Sequence, residues 1–337
     1  MTEGDMPTEA PDAVIRSFSA ERPRSDDLRE FVGCLRGLGQ PAVLDPNGAE
    51  AWVPGTRAEL VRVPIERTAP ASPEILRTVL GQRGIWVASY MQAADPEHPA
   101  NCFDYVCTDR RYDVEKLEKY GRRDIRRGLR CFSVRRCTWD ELLEHGYEGY
   151  ADTDERHGHG RPSRQDFEAF VVLHRPCRFY EVWGAWRDDA LHAWTKATKV
   201  DNWVFITTAC SRNEYLRDCP NNALAYEATR TFLVEEKRRL VSFGISSVQA
   251  TSNIVSLHKF KVRMGFQPVP FVRTFVPRRL LRPLLKPRLA SWFWDKVVAA
   301  RPASETLAKV AGLSRLVSGR ERSPLAWTEG LPESDSD

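Results

Sequence analysis

The chain has 337 residues, which is long enough for two domains of ordinary size. Hydrophobic residues make up 42% of it and charged residues 28%, as in soluble globular proteins, and no apolar run is long enough to span a membrane. The formal net charge of +4 is informative only through its distribution. The segment from Met1 to Asp12 is acidic and lacks the apolar core of a secretory signal, so we expect a cytoplasmic protein.

The eight cysteines do not follow a metal-binding pattern. No CxxC motif occurs, and the neighbouring pairs Cys102 with Cys107 and Cys131 with Cys137 match no zinc template. We therefore expect free thiols and no metal site.

The first half of the sequence predicts alternating helices and strands. Residues 1–27 are polar and rich in proline, so we expect disorder there. Predicted helices cover residues 28–38, 72–80, 114–129 and 139–149. Predicted strands cover residues 42–53, 60–65, 85–90, 103–107 and 132–137.

The second half has a more distinctive order of elements. A helix over 163–174 precedes a meander of three strands, predicted at 178–186, 191–199 and 203–210. A loop at 211–221 is followed by a helix over 222–239, a strand over 240–249, a helix over 257–266 that Gly265 closes, and a strand over 267–276. This order, with its Met-Gly-Phe helix ending, resembles the acyl-transfer half of the Gcn5-related N-acetyltransferase (GNAT) fold.

Two motifs narrow the resemblance. GNAT enzymes that use acetyl-CoA hold its pyrophosphate with a glycine-rich loop, whereas loop 211–221 contains no glycine, which argues against ordinary CoA binding. Their last helix usually reads Leu-Tyr-x-x-x-Gly-Phe; here it reads Phe260-Lys-Val-Arg-Met-Gly-Phe266, so Lys261 replaces the tyrosine. A Phe-Lys pair before a closing glycine resembles the FemABX family, the aminoacyl-tRNA-dependent ligases that extend peptidoglycan precursors.

Two further segments resemble FemABX proteins: the arginine-rich stretch from Tyr112 to Leu129, and Asp152-Thr-Asp-Glu-Arg156. The resemblance covers roughly residues 80 to 276. It implies an α+β fold of mixed α/β type, with tandem GNAT-like domains that each contain a mostly antiparallel sheet flanked by helices. The expected domains are residues 28–150 and 151–277, followed by a basic amphipathic tail at 278–327 and a disordered acidic end at 328–337.

The resemblance also implies a function. The chain is expected to form an amide bond on an amine acceptor, such as a cell-envelope precursor, without a tightly bound cofactor. The donor would be an aminoacyl-tRNA or an acyl-CoA. Two alternatives stay open at this point: a CoA-dependent GNAT N-acyltransferase, and a non-catalytic protein of this fold that binds nucleic acid or a membrane.

Three residues are candidates for catalysis. Acyl transfer to an amine passes through an oxyanion, and Lys261 could supply the cation that stabilises it. Without the resemblance, Lys261 would be assigned to a solvated helix face together with Lys259 and Arg263. Asp154 and His157 could keep the acceptor amine neutral, although a solvated charged loop is an equally good interpretation.

Further basic residues are candidates for binding the donor or the acceptor. Arginines are suited to phosphate contacts, and a solvated basic surface is the alternative in each case. Lys196 is predicted to share a strand face with Trp194 and His192 and to line an acceptor cleft. The complete set of candidate binding residues is Arg123, Arg126, Arg127, Arg156, Lys196, Arg212, Arg217 and Lys259.

The tail is strongly basic. Residues 273–322 contain twelve Lys and Arg residues but only three acidic ones. Leu289, Trp292, Phe293 and Val297 predict an amphipathic helix. Residues 278–296 would suit an anionic membrane surface at the inner face of a membrane. The alternative is that the leucines and tryptophans pack against the protein and only the arginines are solvated.

Overall fold

The computed structural model describes residues 25–55, 58–246, 253–285, 288–300 and 305–317. The acidic end at 328–337 and most of the predicted N-terminal disorder lie outside the described residues. At the boundary of that N-terminal prediction, Asp26 and Asp27 already form the first turn of a helix.

Most elements follow the predicted alternation, but the strand predicted at 42–53 is two strands, and the charged segment 152–156 ends a helix rather than forming a loop. The helices are α1 (Asp26–Gly37), α2 (Pro73–Gly81), α3 (Lys119–Cys131), α4 (Trp139–His145), α5 (Tyr147–Arg156), α6 (Arg164–His174), α7 (Pro220–Arg230), α8 (Asn253–Arg263), α9 (Arg282–Leu285), α10 (Arg288–Ala300) and α11 (Glu305–Val317). The strands are β1 (Val43–Leu44), β2 (Ala51–Pro54), β3 (Glu59–Val63), β4 (Val87–Ala93), β5 (Cys102–Cys107), β6 (Ser133–Cys137), β7 (Tyr180–Arg187), β8 (Ala190–Val200), β9 (Trp203–Ser211), β10 (Leu240–Ile245) and β11 (Gln267–Pro277).

Side-chain caps determine where several helices begin. The Ser72 hydroxyl accepts the N–H of Ile75 at the start of α2. Thr138 and Glu141 form a reciprocal capping box at α4, and Ser163 forms one with Asp166 at α6. Such caps satisfy N–H groups that a helix leaves without partners.

The chain divides into two compact units that are not continuous in sequence. Unit 1 contains residues 105–244 and 259–267; unit 2 contains the described parts of residues 15–104, 245–258 and 268–337. The division falls in β5, between Asp104 and Tyr105, rather than near residue 150. One reason is that β6 lies before residue 150 and yet pairs with β7 from Ser133 to Cys137.

Unit 1 contains the meander and the elements that follow it. Its strands lie in the order β6-β7-β8-β9-β10, and all neighbours are antiparallel except the parallel pair β9 and β10. Leu142 of α4 and Phe167 of α6 pack against Trp194 of β8 in one hydrophobic core. This burial, at roughly 25 cal/mol per Å² of apolar surface, holds the helices on the sheet.

Unit 2 contains a second mixed sheet. Its strands lie in the order β1-β2-β3-β4-β11, with β3 and β4 parallel and the other neighbours antiparallel. Ile75 and Val79 of α2 pack against Trp52 and Tyr90 of the strands. The predicted fold class, mixed α/β with mostly antiparallel strands flanked by helices, is therefore confirmed.

In the part of the chain that the structure describes, no helix is both long and apolar enough to cross a lipid bilayer.

Candidate active site

Strand β10 leaves the regular ladder of unit 1 shortly after it begins. It pairs with β9 in parallel from Leu240 to Ser242, opposite Trp203 to Phe205. At Gly244 the backbone has a φ of 79°, a conformation that glycine adopts without strain. The carbonyl of Gly244 accepts a hydrogen bond from the amine of Lys261, at 3.2 Å.

The C-terminal cap of α8 fixes the position of Lys261. The N–H of Phe266 donates to the Lys261 carbonyl at 3.1 Å, and the N–H of Gly265 donates to the Val262 carbonyl at 2.9 Å. These two bonds, with Gly265 at a φ of 83°, form a Schellman motif. The Tyr112 hydroxyl donates to the Met264 carbonyl at 2.6 Å and ties the same turn to the segment before α3.

The side chain of Lys261 is buried, with only 4% of its surface exposed. Its nitrogen lies 4.3 Å from the ring centroid of Tyr105 and 5.7 Å from that of Phe243. Burial raises the pKa of Tyr105 to about 12, so its phenol stays neutral beside the ammonium group. A carbonyl and an aromatic face together stabilise a cation in a poorly solvated position.

The alternative of a solvated lysine face is wrong for Lys261. On the same helix, Lys259 is exposed, and Arg263 pairs with Glu118 at 3.0 Å. Lys261 alone of these three side chains is buried. The sequence did not reveal Tyr105 and Gly244 as its neighbours, because both are distant in sequence and neither belongs to the quoted motifs.

Replacing Gly265 with Ala should destabilise the protein by about 1–3 kcal/mol from backbone strain alone. The new Cβ would also lie 2.7 Å from the Leu117 side chain and 3.1 Å from the Tyr112 ring. Urea unfolding measures the loss. Gly39→Ala is the matched control, because Gly39 has a φ of 72° but open space around it. Equal losses in the two variants would show that the contacts around Gly265 are unimportant.

Asp154 and His157 lie in a different part of unit 1. Both are at the C-terminal end of α5, where Asp154 approaches His159 at 3.7 Å. Partial desolvation, followed by the charges of Arg156 and His159, lowers the pKa of His157. The neighbouring Arg156 contacts Ser211 at the end of β9. Ser211 lies five residues after Ile206 in this strand, so the two residues are about 16 Å apart.

The structure does not bring Asp154 and His157 to Lys261. Gly244, whose carbonyl accepts from Lys261, lies beside Ile206 and not beside Ser211. A Cβ placed on Gly244 would be 4.0 Å from the Ile206 carbonyl oxygen. Their assignment as a base stays a prediction, and the separation along β9 argues against direct cooperation with Lys261.

Arg156 holds the end of β9 in place. Its guanidinium donates to the Ser211 carbonyl at 3.4 Å, to the Ser211 hydroxyl at 3.3 Å and to the Thr153 hydroxyl at 3.2 Å. It also contacts the Asn213 side chain. Arg156 is therefore a positioning residue for the loop that begins at Ser211.

The loop arginines and Lys259 remain open to solvent to different degrees. Arg212 is half-buried beside Glu214, at 3.5 Å, and its guanidinium faces the Tyr215 ring. Arg217 and Lys259 are exposed. Ligand binding by any of these side chains stays a prediction.

The arginines of α3 carry internal ion pairs. Arg123 pairs with Asp124 at 2.8 Å and Arg127 with Asp218 at 3.3 Å, while Arg126 pairs with Glu115. All three arginines are exposed, and ion pairs between exposed side chains add little to stability. A phosphate could therefore replace these carboxylates at little cost.

Lys196 lies in an aromatic cage on the face of β8 that packs against α6. Its amine is 4.4 Å from the Tyr180 ring centroid and 5.6 Å from that of Phe170. Desolvation lowers its pKa to about 8. Its neighbour His174 donates through Nδ1 to the Phe170 carbonyl at 2.7 Å. Burial, assisted by the charge of Lys196, lowers the pKa of His174 to about 4.

The predicted shared face of Lys196, Trp194 and His192 is wrong for His192. The register of β7 and β8 shifts between Ala185 and Trp186, so the alternation of faces is interrupted. Trp194 enters the hydrophobic core beneath α4 and α6, whereas the His192 ring lies 4.0 Å from the Tyr215 ring centroid.

Replacing Lys196 with Met should raise the pKa of His174, because a nearby positive charge is removed. An NMR pH titration of the His174 ring measures this change in pKa.

The same substitution should change how stability depends on pH. The folded protein binds fewer protons at His174 than the unfolded chain between about pH 4 and 6.5, so stability falls as pH falls through that window. The variant should lose less stability there. Lys199→Met is the control, since Lys199 pairs with Glu181 at 2.6 Å instead; an unchanged His174 pKa in Lys196→Met would contradict the coupling.

No protein-family model and no curated protein matches this sequence. Among solved structures, the crystal structure of FemX is similar with a TM-score of 0.52 and 11% sequence identity, covering 82% of this chain and 98% of FemX. The fold is that of FemX. The resemblance of the sequence motifs to FemABX proteins implied the same fold. At this identity the likeness establishes the fold alone.

Two other solved structures are similar at lower TM-scores, and the fold assignment does not depend on them. One is the C-terminal domain of a putative lysylphosphatidylglycerol synthetase from Agrobacterium fabrum, with a TM-score of 0.47, 12% identity, and 85% of this chain and 96% of that chain covered. The other is a tandem GNAT protein from the clavulanic acid biosynthesis pathway, with a TM-score of 0.44, 12% identity, and 79% and 95% covered.

Proposed function

We propose that the chain is an acyl- or aminoacyl-transferase that forms an amide bond on an amine acceptor, with Lys261 as the cation that stabilises the oxyanion. The observation that carries this proposal is the buried Lys261 amine, held between the Gly244 carbonyl and the Tyr105 ring on a FemX-like fold. A buried lysine fixed by a backbone cap is preorganised, as electrostatic catalysis requires.

The proposed reaction balances without a redox step or a metal. The acceptor nitrogen attacks the carbonyl carbon of the donor, a C–N bond forms, and the carbonyl oxygen becomes an oxyanion beside Lys261. Collapse of this intermediate breaks the bond to the leaving oxygen or sulfur. The proton lost by the amine then ends on that leaving atom. No residue is assigned to the proton transfer, because Asp154 and His157 lie at the end of α5, where Arg156 contacts the distant end of β9 at Ser211.

The start of α7 favours an aminoacyl-tRNA donor over an acyl-CoA. Helix α3 covers this first turn so closely that a Cβ at Gly128 would lie 2.5 Å from the Cys219 carbonyl oxygen. The first helical residue is Pro220, which has no N–H to offer a phosphate. Arg123 and Arg127 lie near this turn, and together with Arg126 they could instead exchange their carboxylate partners for tRNA phosphates. By the FemX likeness, a peptidoglycan precursor is the proposed acceptor.

Acetyl-CoA should bind weakly. The covered first turn of α7 and the lack of glycine in loop 211–221 both prevent close approach of its diphosphate. Isothermal titration calorimetry with acetyl-CoA should give no heat at micromolar concentrations. Low-micromolar affinity would instead favour the CoA-dependent N-acyltransferase.

Replacing Lys261 with Met should lower the rate of transfer about a hundredfold or more, because the oxyanion loses its cation. The assay follows a radiolabelled amino acid from charged tRNA to a peptidoglycan precursor that carries a free amine. Lys119→Met, at an exposed lysine of α3, is the matched control and should retain full activity. Thermal unfolding verifies that both variants fold.

Two results would contradict the proposal. Full turnover by Lys261→Met would remove Lys261 from the mechanism. Binding of charged tRNA by the unaltered protein without transfer to any amine acceptor would favour the non-catalytic alternative.

A further inference from the structure

The basic segment that follows β11 is fixed to unit 2 at its start. The guanidinium of Arg278 donates through Nε to the Leu80 carbonyl at 2.8 Å and through Nη2 to the Gln82 carbonyl at 2.7 Å. The Arg278 N–H donates to the Trp86 carbonyl at 2.8 Å. The helices after it therefore begin from a defined position on this unit.

Small residues hold these helices together. Ser291 of α10, and Ala311 and Ser314 of α11, are almost completely buried. The Ser314 hydroxyl donates to the Leu285 carbonyl at 3.1 Å, and the Trp294 indole donates to the Leu284 carbonyl at 3.1 Å. Ser291 and the Trp294 indole of α10 thus face the neighbouring helices.

The large apolar side chains of this segment face outward instead. Leu280 is 79% exposed, Leu284 56%, Trp292 55% and Phe293 54%. The alternative that the leucines and tryptophans pack against the protein is therefore wrong for Leu280, Leu284 and Trp292, although Leu285 is buried and the Trp294 indole is hydrogen-bonded. An exposed group of large apolar residues is unusual enough to indicate a contact surface.

The charge around this group is positive. Arg279, Arg282 and Lys296 are exposed, and the Lys296 amine lies 5.8 Å from the Trp292 ring centroid. Asp295 is the one acidic residue in the sequence from 278 to 300, and it pairs with Arg315 at 2.8 Å. Its charge is therefore compensated, and Arg279 and Arg282 have no acidic neighbour in sequence.

We propose that Leu280, Leu284, Trp292 and Phe293, with Arg279, Arg282 and Lys296 beside them, form a docking surface for an anionic phospholipid bilayer. Tryptophan and phenylalanine lie at the boundary between headgroups and acyl chains, and basic residues contact the acidic headgroups. The aliphatic Leu280 and Leu284 favour lipid over nucleic acid, which offers phosphates and bases but no acyl chains. This proposal does not depend on the proposed acyl transfer.

Vesicle sedimentation with the full chain tests the surface. The protein should pellet with phosphatidylcholine vesicles that contain phosphatidylglycerol, much less with phosphatidylcholine alone, and less at high salt. Trp292→Gln with Phe293→Gln, and separately Arg279→Glu with Arg282→Glu, should each lower binding about tenfold or more. Arg279→Lys with Arg282→Lys should retain binding, because only charge is required.

Val172→Gln with Leu173→Gln is the matched control, since these two residues are exposed apolar side chains on α6, outside the surface. It should bind vesicles like the unaltered protein. Because all substituted side chains are exposed, circular dichroism melts should be unchanged, and a shifted melt would identify the surface as structural and overturn the proposal.

Three other results would also overturn the membrane proposal. They are equal binding to neutral and anionic vesicles, no binding to anionic vesicles at low salt, and unchanged vesicle binding by the glutamine and glutamate variants of the surface. Sedimentation velocity gives a further decision. A dimer that Trp292→Gln with Phe293→Gln dissociates would show that a second copy covers this surface instead of a membrane.

Discussion

The geometry of unit 1 depends on one constraint, the burial of a lysine amine at the end of a helix. Transferring an ammonium group out of water costs several kcal/mol unless hydrogen bonds and aromatic rings compensate for the lost hydration. Lys261 is restrained at both ends: its carbonyl accepts the Phe266 N–H in the helix cap, and its amine donates to the Gly244 carbonyl. The bond in the cap contributes about 0.5–1.5 kcal/mol and the bond from the charged amine about 1.5–3 kcal/mol, and the aromatic rings beside the amine add to the latter.

Both ends of that restraint need a glycine. Gly265 supplies the left-handed turn that returns the Phe266 N–H to Lys261, and Gly244 supplies the turn by which β10 leaves the ladder. Phe266 then packs on Phe243, with ring centroids 5.3 Å apart, next to the Lys261 amine. A structure that commits two backbone turns and two aromatic residues to one cation places that cation with little freedom, which is what oxyanion stabilisation requires.

Local signals in the sequence were sufficient for most of the elements. The turn residues between the strands of the meander and the Ser72 cap each act within a few residues, so β7 to β9 and α2 were predicted close to their observed bounds. Helix α8 instead begins four residues before the helix predicted at 257–266 and ends three residues before it. The helix predicted over 222–239 ends earlier. Helix α7 stops at Arg230 and continues as a π-helical turn to Glu235, a change that packing rather than composition decides.

The candidate site was less predictable because its neighbours are set by tertiary structure. Asp218 neutralises Arg127 from 91 positions away, and a single register shift opposite His192 moves that ring to the other face of β8. The spacing of residues in the sequence reveals neither this ion pair nor this register shift. The family motif identified Lys261, yet its burial beside Tyr105 follows only from how α8 meets β5 and β10.

The two buried lysines of unit 1 show how surroundings give one residue type different properties. Lys196 is caged by Tyr180 and Phe170, and desolvation lowers its pKa to about 8, so near neutral pH its proton is held weakly. Its charge in turn helps to keep His174 neutral. Lys261 also lies against aromatic rings, but its amine in addition donates a hydrogen bond to the Gly244 carbonyl. An oxyanion needs a partner that is fixed in position, so the hydrogen bond to Gly244 is the feature that suits Lys261, rather than Lys196, to the proposed role.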